Sequence, residues 1–225
     1  MNKIQVVANT LFVMACALLI NTKSFAEPAN LSQLKIEVQT YHDSGVYQKE
    51  LAQAITSARD YLDHRAVMNN QRPQPEKLAI VLDIDETSLS NYDSMLARDF
   101  TNNHKEIHQE ILAANAPAIE PMLTLYQDAV KHHVAVFFVT GRVQSEYQAT
   151  NRNLKLAGYQ QWAGLYLRPE GYNKTSIVPF KSQTRAAITK QGYTIIASIG
   201  DQESDLTGGY AEKTFKLPNP YYHIS

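Results

Sequence analysis

The sequence predicts an α/β protein built on a doubly wound parallel sheet, and three observations carry that prediction. The unbroken apolar run at 78–82 has the look of a strand buried on both faces, and the apolar run at 134–139 and the largely apolar stretch at 194–199 read as further strands. Stretches with helical spacing of apolar residues separate them, and such β/α alternation is the mark of a parallel sheet covered by helices. Each run also ends in polar text: Asp83-Ile84-Asp85-Glu86-Thr87, Thr140-Gly141-Arg142, and Gly200-Asp201-Gln202-Glu203-Ser204-Asp205. Their loops would then share the carboxyl edge of the sheet, where open α/β sheets bind ligands.

The 225-residue chain opens with Lys3, an apolar stretch at 11–20 and Ser24-Phe25-Ala26. This reads as a secretory signal peptide over 1–26, cleaved before Glu27, with a periplasmic or secreted product. Asn9 and Thr10 interrupt the apolar stretch, which falls short of the ~20 residues a membrane span needs, so no stable membrane insertion is expected. The only cysteine, Cys16, follows Val13-Met14-Ala15 and offers a lipidation site as the alternative, although apolar residues continue after it. From Glu27 onward the chain has no cysteine, which excludes disulfides. Residues 27–225 suit one domain with a small helical subdomain. Formal net charge is -1 and the basic residues are scattered, so nothing points to a nucleic-acid partner.

Asn30 is placed to cap a helix over 31–41. Asp43 or Ser44 is placed to cap a longer one reaching about 67, with Val46, Leu51, Ile55, Ala58 and Leu62 at helical spacing. Polar residues 69–75, with Pro73 and Pro75, lead into the first strand. The segment 92–133 shows a polar helix near 103–113 and another over 120–133, with no strand. An insertion of this size is long for a crossover, so residues 27–72 and about 92–120 are expected to contribute a helical cap. His104 and His108 are four apart but lack a third ligand on the same pattern, which makes a solvated helix face. A helix over 144–156 stops at Gly158, a strand follows at 164–167, and a turn at 168–171. A helix over about 180–191 stops at Gly192. After the strand at 194–199, a loop through Gly209 leads to a last strand at 213–216.

On a leaving strand, Asp83 and Asp85 face one side with Ile84 pointing away. Two carboxylates so close both ionise only if a cation lies between them or one keeps its proton. The bland alternative is a βα loop in which Asp85 or Thr87 caps the next helix. Read locally, Lys181 is an exposed lysine at a helix start, Thr140-Gly141 a strand-end turn, and Asp201 and Asp205 solvated loop acids. Arg142 and Arg185 carry no assignment.

Taken together and in order, these four elements resemble the motifs of the haloacid dehalogenase superfamily. Further matches narrow the resemblance to its acid phosphatase branch, which includes the class C bacterial enzymes and the plant vegetative storage proteins. They are Thr150-x-x-Asn153-Leu154-x-x-Ala157-Gly158-Tyr159-x-x-Trp162, Leu165-x-Leu167-Arg168 and Phe215-Lys216-Leu217-Pro218-Asn219-Pro220. Glu203 departs from the plant pattern, where Trp follows Gly-Asp-Gln, so substrate preference transfers less readily than mechanism.

The resemblance implies a Rossmann-like fold and a Mg²⁺-dependent acid phosphatase that hydrolyses small-molecule phosphomonoesters through an aspartyl-phosphate. Asp83 would be the nucleophile and Asp85, held protonated, the general acid/base. Thr140, Gly141 and Lys181 would hold the phosphoryl group. Asp83, Asp85 through its backbone carbonyl, and Asp201 would hold Mg²⁺, with Asp205 as a fourth ligand or an orienting group. Class C relatives often hydrolyse nucleoside monophosphates, with the base between aromatic rings; here Tyr92 is the first candidate for such a ring, followed by Tyr172, Tyr221 and Tyr222. The alternatives within the resemblance are a phosphotransferase and a non-catalytic storage or binding protein. Some storage relatives lack the nucleophile, whereas Asp83 is intact.

Overall fold

β1 (Lys77–Leu82) is apolar on both sets of alternate residues from Leu78 onward, so both of its faces must be covered, and it becomes the centre of the sheet. Leu78, Ile80 and Leu82 point into one core while Ala79 and Val81 point into another. The computed structural model, which describes residues 27–224, surrounds it with β2 (Ala135–Val143), β3 (Gly164–Arg168), β4 (Tyr193–Gly200) and β5 (Lys213–Lys216). The five strands are parallel in the order β3-β2-β1-β4-β5. The expected doubly wound α/β class is the observed one.

The helices are α1 (Leu31–Asp43), α2 (Val46–Asn70), α3 (Tyr92–Ala97), α4 (His104–Ala113), α5 (Glu120–Lys131), α6 (Tyr147–Leu156), α7 (Val178–Lys190) and the short α8 (Glu203–Leu206). A 3-10 turn, Gln144–Glu146, leads into α6. α2 and α5 bury Leu51, Ile55, Leu62, Met122 and Leu125 with Leu78, Ile80 and Leu82 in the larger core. On the opposite face, Ile188 of α7 packs with Ala79, Val81, Phe137 and Val139.

The chain divides into two units, residues 1–34 and 35–225. The described part of the first, 27–34, contains the expected cap: Asn30 Oδ1 accepts from the Ser32 and Gln33 amides at 3.0 and 3.3 Å. The expected signal segment, its cleavage point and Cys16 lie outside the described residues. Among the described residues, no helix is long and apolar enough to cross a membrane.

Four expectations are corrected. α2 is preceded not by a capping Asp43 or Ser44 but by Gly45 at φ 81, because the tight α1–α2 turn needs a left-handed residue. α2 is also a layer of the sheet sandwich, since its apolar stripe faces the sheet, so this helix does not belong to a cap. α8 replaces part of the expected loop through Gly209. Finally, Thr140-Gly141-Arg142 lies within β2: pairing with β3 passes from Thr140–Leu167 directly to Val143–Arg168, so Gly141 and Arg142 bulge out of the ladder.

Candidate active site

The chain runs outward from β1 to β2 and β3, then returns to place β4 on the other side of β1, so the order reverses between β1 and β4, the switch point at which open α/β sheets bind ligands. Asp83 directly follows β1, and its amide donates to the Ile199 carbonyl at 3.0 Å. Asp201 directly follows β4, and Asp205 sits on α8. A Cβ at Gly200 would run into the Asp205 carboxyl, so only glycine lets α8 fold back this closely. The three carboxylates are buried, and one oxygen from each lies within 4.8 Å of the others. From the opposite face of the sheet, the first turn of α7 delivers Lys181. Its Nζ donates to Asp83 Oδ1 at 2.7 Å and to Asp205 Oδ1.

Burial, and next the Asp205 charge, push the Asp83 carboxyl well above the usual carboxylate range; the same two causes raise Asp201. Burial alone would lower Lys181, but the Asp83 and Asp205 carboxylates outweigh it and hold the ammonium charged. Three buried carboxylates against one ammonium leave a deficit of positive charge. An all-oxygen set with few carboxylates matches what Mg²⁺ takes. Asp201 is held from both sides, Oδ1 accepting from the Thr87 hydroxyl at 3.1 Å and Oδ2 from the Gln202 and Asn219 amides, each at 2.6 Å. Asp205 is more occupied: beyond Lys181, its Oδ2 accepts from the Gln202 backbone amide at 2.9 Å.

Asp85 does not join this cluster. Arg142 Nε reaches both its oxygens at 3.1 Å, Arg142 Nη2 reaches Oδ1 at 2.7 Å, and Asn91 Nδ2 donates at 2.9 Å. Burial acts to raise the Asp85 carboxyl, but the guanidinium and its hydrogen bonds override it and hold the group below its ordinary range. Resting Asp85 is therefore ionised, where a protonated acid was expected. The reason is the bulge in β2, which turns Arg142 onto it, with Arg142 Nη1 braced by Thr150 Oγ1 at 3.2 Å. Thr140 Oγ1 accepts the Arg142 amide at 3.1 Å, which leaves its own hydroxyl proton free to donate. Gly141 is out of the ladder, with open space where a side chain would stand.

Sequence reading left three buried groups without a role. Glu86, at φ 54, is pushed up to about 8 by burial and then by the Asp85 charge. It accepts from the Asn91 amide at 2.6 Å and the Tyr222 hydroxyl at 2.9 Å. Arg185 is 1% exposed and donates to the carbonyls of Asp205 at 2.7 Å, Gly209 at 2.8 Å, and Thr207, holding the α8 loop. Its place one helical turn after Lys181 was the available signal. Glu146 accepts from the Val143 amide at 2.8 Å and meets His108 Nδ1 at 2.7 Å, so His108 of α4 is tied to the turn after β2 and not simply solvated.

Tyr92 is not an open ring. It is 5% exposed, stacks on His42 with centroids 3.3 Å apart, packs beside Tyr221 and Phe100, and donates its hydroxyl to Asp43 at 3.0 Å. Tyr172 packs on Phe180 and donates to the Ser176 carbonyl at 3.0 Å.

The family model described as HAD superfamily, subfamily IIIB (Acid phosphatase) matches residues 8–225. The stem 28 kDa glycoprotein of Glycine max is 36% identical over 154 residues, 66% of this chain and 61% of that protein. Acid phosphatase 1 of Solanum lycopersicum is 34% identical over 154 residues, 64% of this chain and 58% of that protein. The chain thus spans less than two thirds of the length of these curated relatives. Among solved structures, the class C acid phosphatase from Bacillus anthracis superposes with a TM-score of 0.67 at 22% identity, covering 85% of each chain, which is a likeness of fold.

Proposed function

The chain belongs to subfamily IIIB of the HAD superfamily, the acid phosphatase subfamily, and from that premise we propose that it is an exported, Mg²⁺-dependent hydrolase of small phosphomonoesters acting through an aspartyl-phosphate on Asp83. The observation that carries the reading is the buried Asp83 carboxylate at the switch point between β1 and β4, held by Lys181 through Oδ1 and within reach of Asp201 and Asp205. Export rests on the signal-like segment 1–26.

In this reading Asp83 Oδ2, which has no protein donor among the described residues, attacks phosphorus as the ester P–O bond breaks. The Thr140 hydroxyl, the Gly141 amide and the Lys181 ammonium receive the charge spread over the phosphoryl oxygens. Asp83, the Asp85 backbone carbonyl and Asp201 would hold Mg²⁺, with Asp205 chiefly orienting Lys181. When bound, the ion supplies the missing counter-charge, so that Asp83 ionises beside its neighbours and the phosphoryl group is offset.

The leaving oxygen needs a proton that resting Asp85 does not hold. A phosphomonoester has a second pKa of about 6, so at acidic pH the monoanion brings a proton that Asp85 can accept and pass on. Asp85 then takes a proton from the water that cleaves the aspartyl-phosphate and passes it to the departing phosphate, which frees Asp83 and returns Asp85 to its ionised form. Residues 92–120 act as a cap, a role supported by the tie between His108 of α4 and Glu146 next to the β2 bulge.

The test is hydrolysis of a panel of aryl, sugar and nucleoside monophosphates by the protein, with Mg²⁺ and with a chelator, across acidic to neutral pH. Turnover should vanish on chelation, return with Mg²⁺, and show kcat/KM declining above about pH 6. The nucleoside monophosphates decide whether 5′-nucleotidase activity is included. No turnover of any ester, or full turnover by protein shown to be metal-free, would overturn the reading.

A further inference from the structure

The stretch Leu217-Pro218-Asn219-Pro220 belongs to none of the four catalytic motifs, yet it lies on the carboxylate cluster. The Leu217 amide donates to the Gly200 carbonyl at 2.9 Å, which extends the β4–β5 ladder by one step and places the following residues directly over the end of β4. Asn219 is flanked by two prolines: Pro218 has a fixed φ, and Pro220 confines Asn219 itself to extended backbone. The Asn219 side chain is aimed as well. Its Oδ1 accepts from the Tyr221 amide at 2.8 Å, an Asx turn, so its Nδ2 is the end presented to Asp201 Oδ2, at 2.6 Å.

The rest of the segment is anchored on the same two loops. The Tyr222 hydroxyl donates to Glu86 at 2.9 Å in the loop after β1. The Ile224 amide donates to Gln202 Oε1 at 3.0 Å in the loop after β4, and Gln202 Nε2 in turn donates to Asp201 Oδ2 at 2.6 Å. Asp201 therefore has one oxygen, Oδ2, taken by two amides, while Oδ1 receives a single hydroxyl, that of Thr87 at 3.1 Å. The oxygen with capacity left for a cation is Oδ1.

We infer that Asn219 is a positioning residue for the cation site: by occupying Oδ2 together with Gln202 it presents Asp201 through Oδ1. The C-terminal segment is thereby part of the active centre and not merely an edge of the fold. This rests on the proposed Mg²⁺ dependence. Groups that orient a metal-ligating carboxylate typically change metal affinity by about 10- to 100-fold when removed.

The test substitutes Asn219→Ser, which keeps an acceptor for the Tyr221 amide and so the turn, but is too short to reach Asp201. Asn219→Ala, which loses both contacts, is compared with it. Mg²⁺ binding is measured by calorimetry and by the Mg²⁺ concentration giving half of the maximal rise in Tm, with metal-free Tm as the check on folding. The expected result for Asn219→Ser is a metal-free Tm close to wild type and an Mg²⁺ affinity at least about tenfold weaker. In activity, the Mg²⁺ concentration for half-maximal rate should rise by the same factor, while KM for substrate at saturating Mg²⁺ stays unchanged. Unaltered Mg²⁺ affinity in Asn219→Ser, or an affinity loss in Asn219→Ala that Asn219→Ser does not share, would overturn the inference and leave the proposed function standing. A wild-type protein that binds no Mg²⁺ would overturn both.

Discussion

Asp83 and Asp85 stand one residue apart, and their surroundings drive their carboxyls in opposite directions. Asp83 is raised by burial and by Asp205, and Asp85 is lowered by Arg142 despite its burial. That split suits two roles, a nucleophile that needs a counter-cation and a carboxylate that shuttles protons. Asp83→Asn keeps the shape, removes one of three crowded carboxylates and leaves Lys181 paired with Asp205. Turnover should fall by at least about a thousandfold while metal-free Tm holds or rises, as measured by steady-state kinetics and calorimetry. Activity within about tenfold of wild type would end the aspartyl-phosphate mechanism.

At the scale of elements, α6 and the residues just after it tie the 92–120 segment to the loop after β1. Tyr159, just after α6, donates to the Ser88 carbonyl at 2.9 Å, and Ser88 Oγ donates to the Asp83 carbonyl at 2.6 Å, so this end of α6 props the loop that carries Asp83. Asn153 of α6 clasps Ala116 through both backbone groups, at 3.2 and 2.7 Å. The matched residues Asn153 and Tyr159 thus serve architecture, and Thr150 serves Arg142. Tyr92 of α3 belongs with them. Its ring already has His42 on one face, so Tyr92→Ala should cost about 3–5 kcal/mol of stability as a core truncation. Any effect on KM should be alike for a nucleoside monophosphate and a small aryl phosphate. A tenfold rise confined to the nucleotide, in a variant as stable as wild type, would place the ring against the substrate instead.

For the whole molecule, the buried acids set how stability depends on pH. Glu86 at about 8, with Asp83 and Asp201 also raised, means that the folded protein binds more protons than the unfolded chain from about pH 4 upward. Their protonated forms favour the fold, and that stability is lost as pH rises through the folded pKa values. Asp85 is lowered, so its contribution changes only below the ordinary carboxylate range and does not enter this window. Without metal, Tm should therefore fall by roughly 5 °C or more between about pH 5 and pH 8, and saturating Mg²⁺ should flatten the fall by supplying charge to the cluster. Thermal melts in chelator and in Mg²⁺ measure both. A metal-free protein most stable at about pH 8 would contradict the burial of uncompensated carboxylates.

The strand order came from the structure, while by itself the sequence determined the class of sheet, its central first strand and the residue types waiting at each strand end. These follow from signals carried within a few neighbouring residues: the apolar runs at 78–82, 134–139 and 194–199, helical spacing between them, and stops such as Gly158 and Gly192. It also named the carboxylates and the lysine of the cluster, because the motifs come in order along the chain. Only the tertiary structure decided which charges pair. Lys181 and Asp83 are separated by 98 positions, Arg142 and Asp85 by 57, and Tyr222 and Glu86 by 136. The bulge that turns Arg142 onto Asp85, the two prolines that aim Asn219 at Asp201, and the packing of His42 on Tyr92 each depend on elements brought together from distant parts of the chain. Local periodicity carries no record of those contacts, and the protonation state of a buried acid is set by just such neighbours.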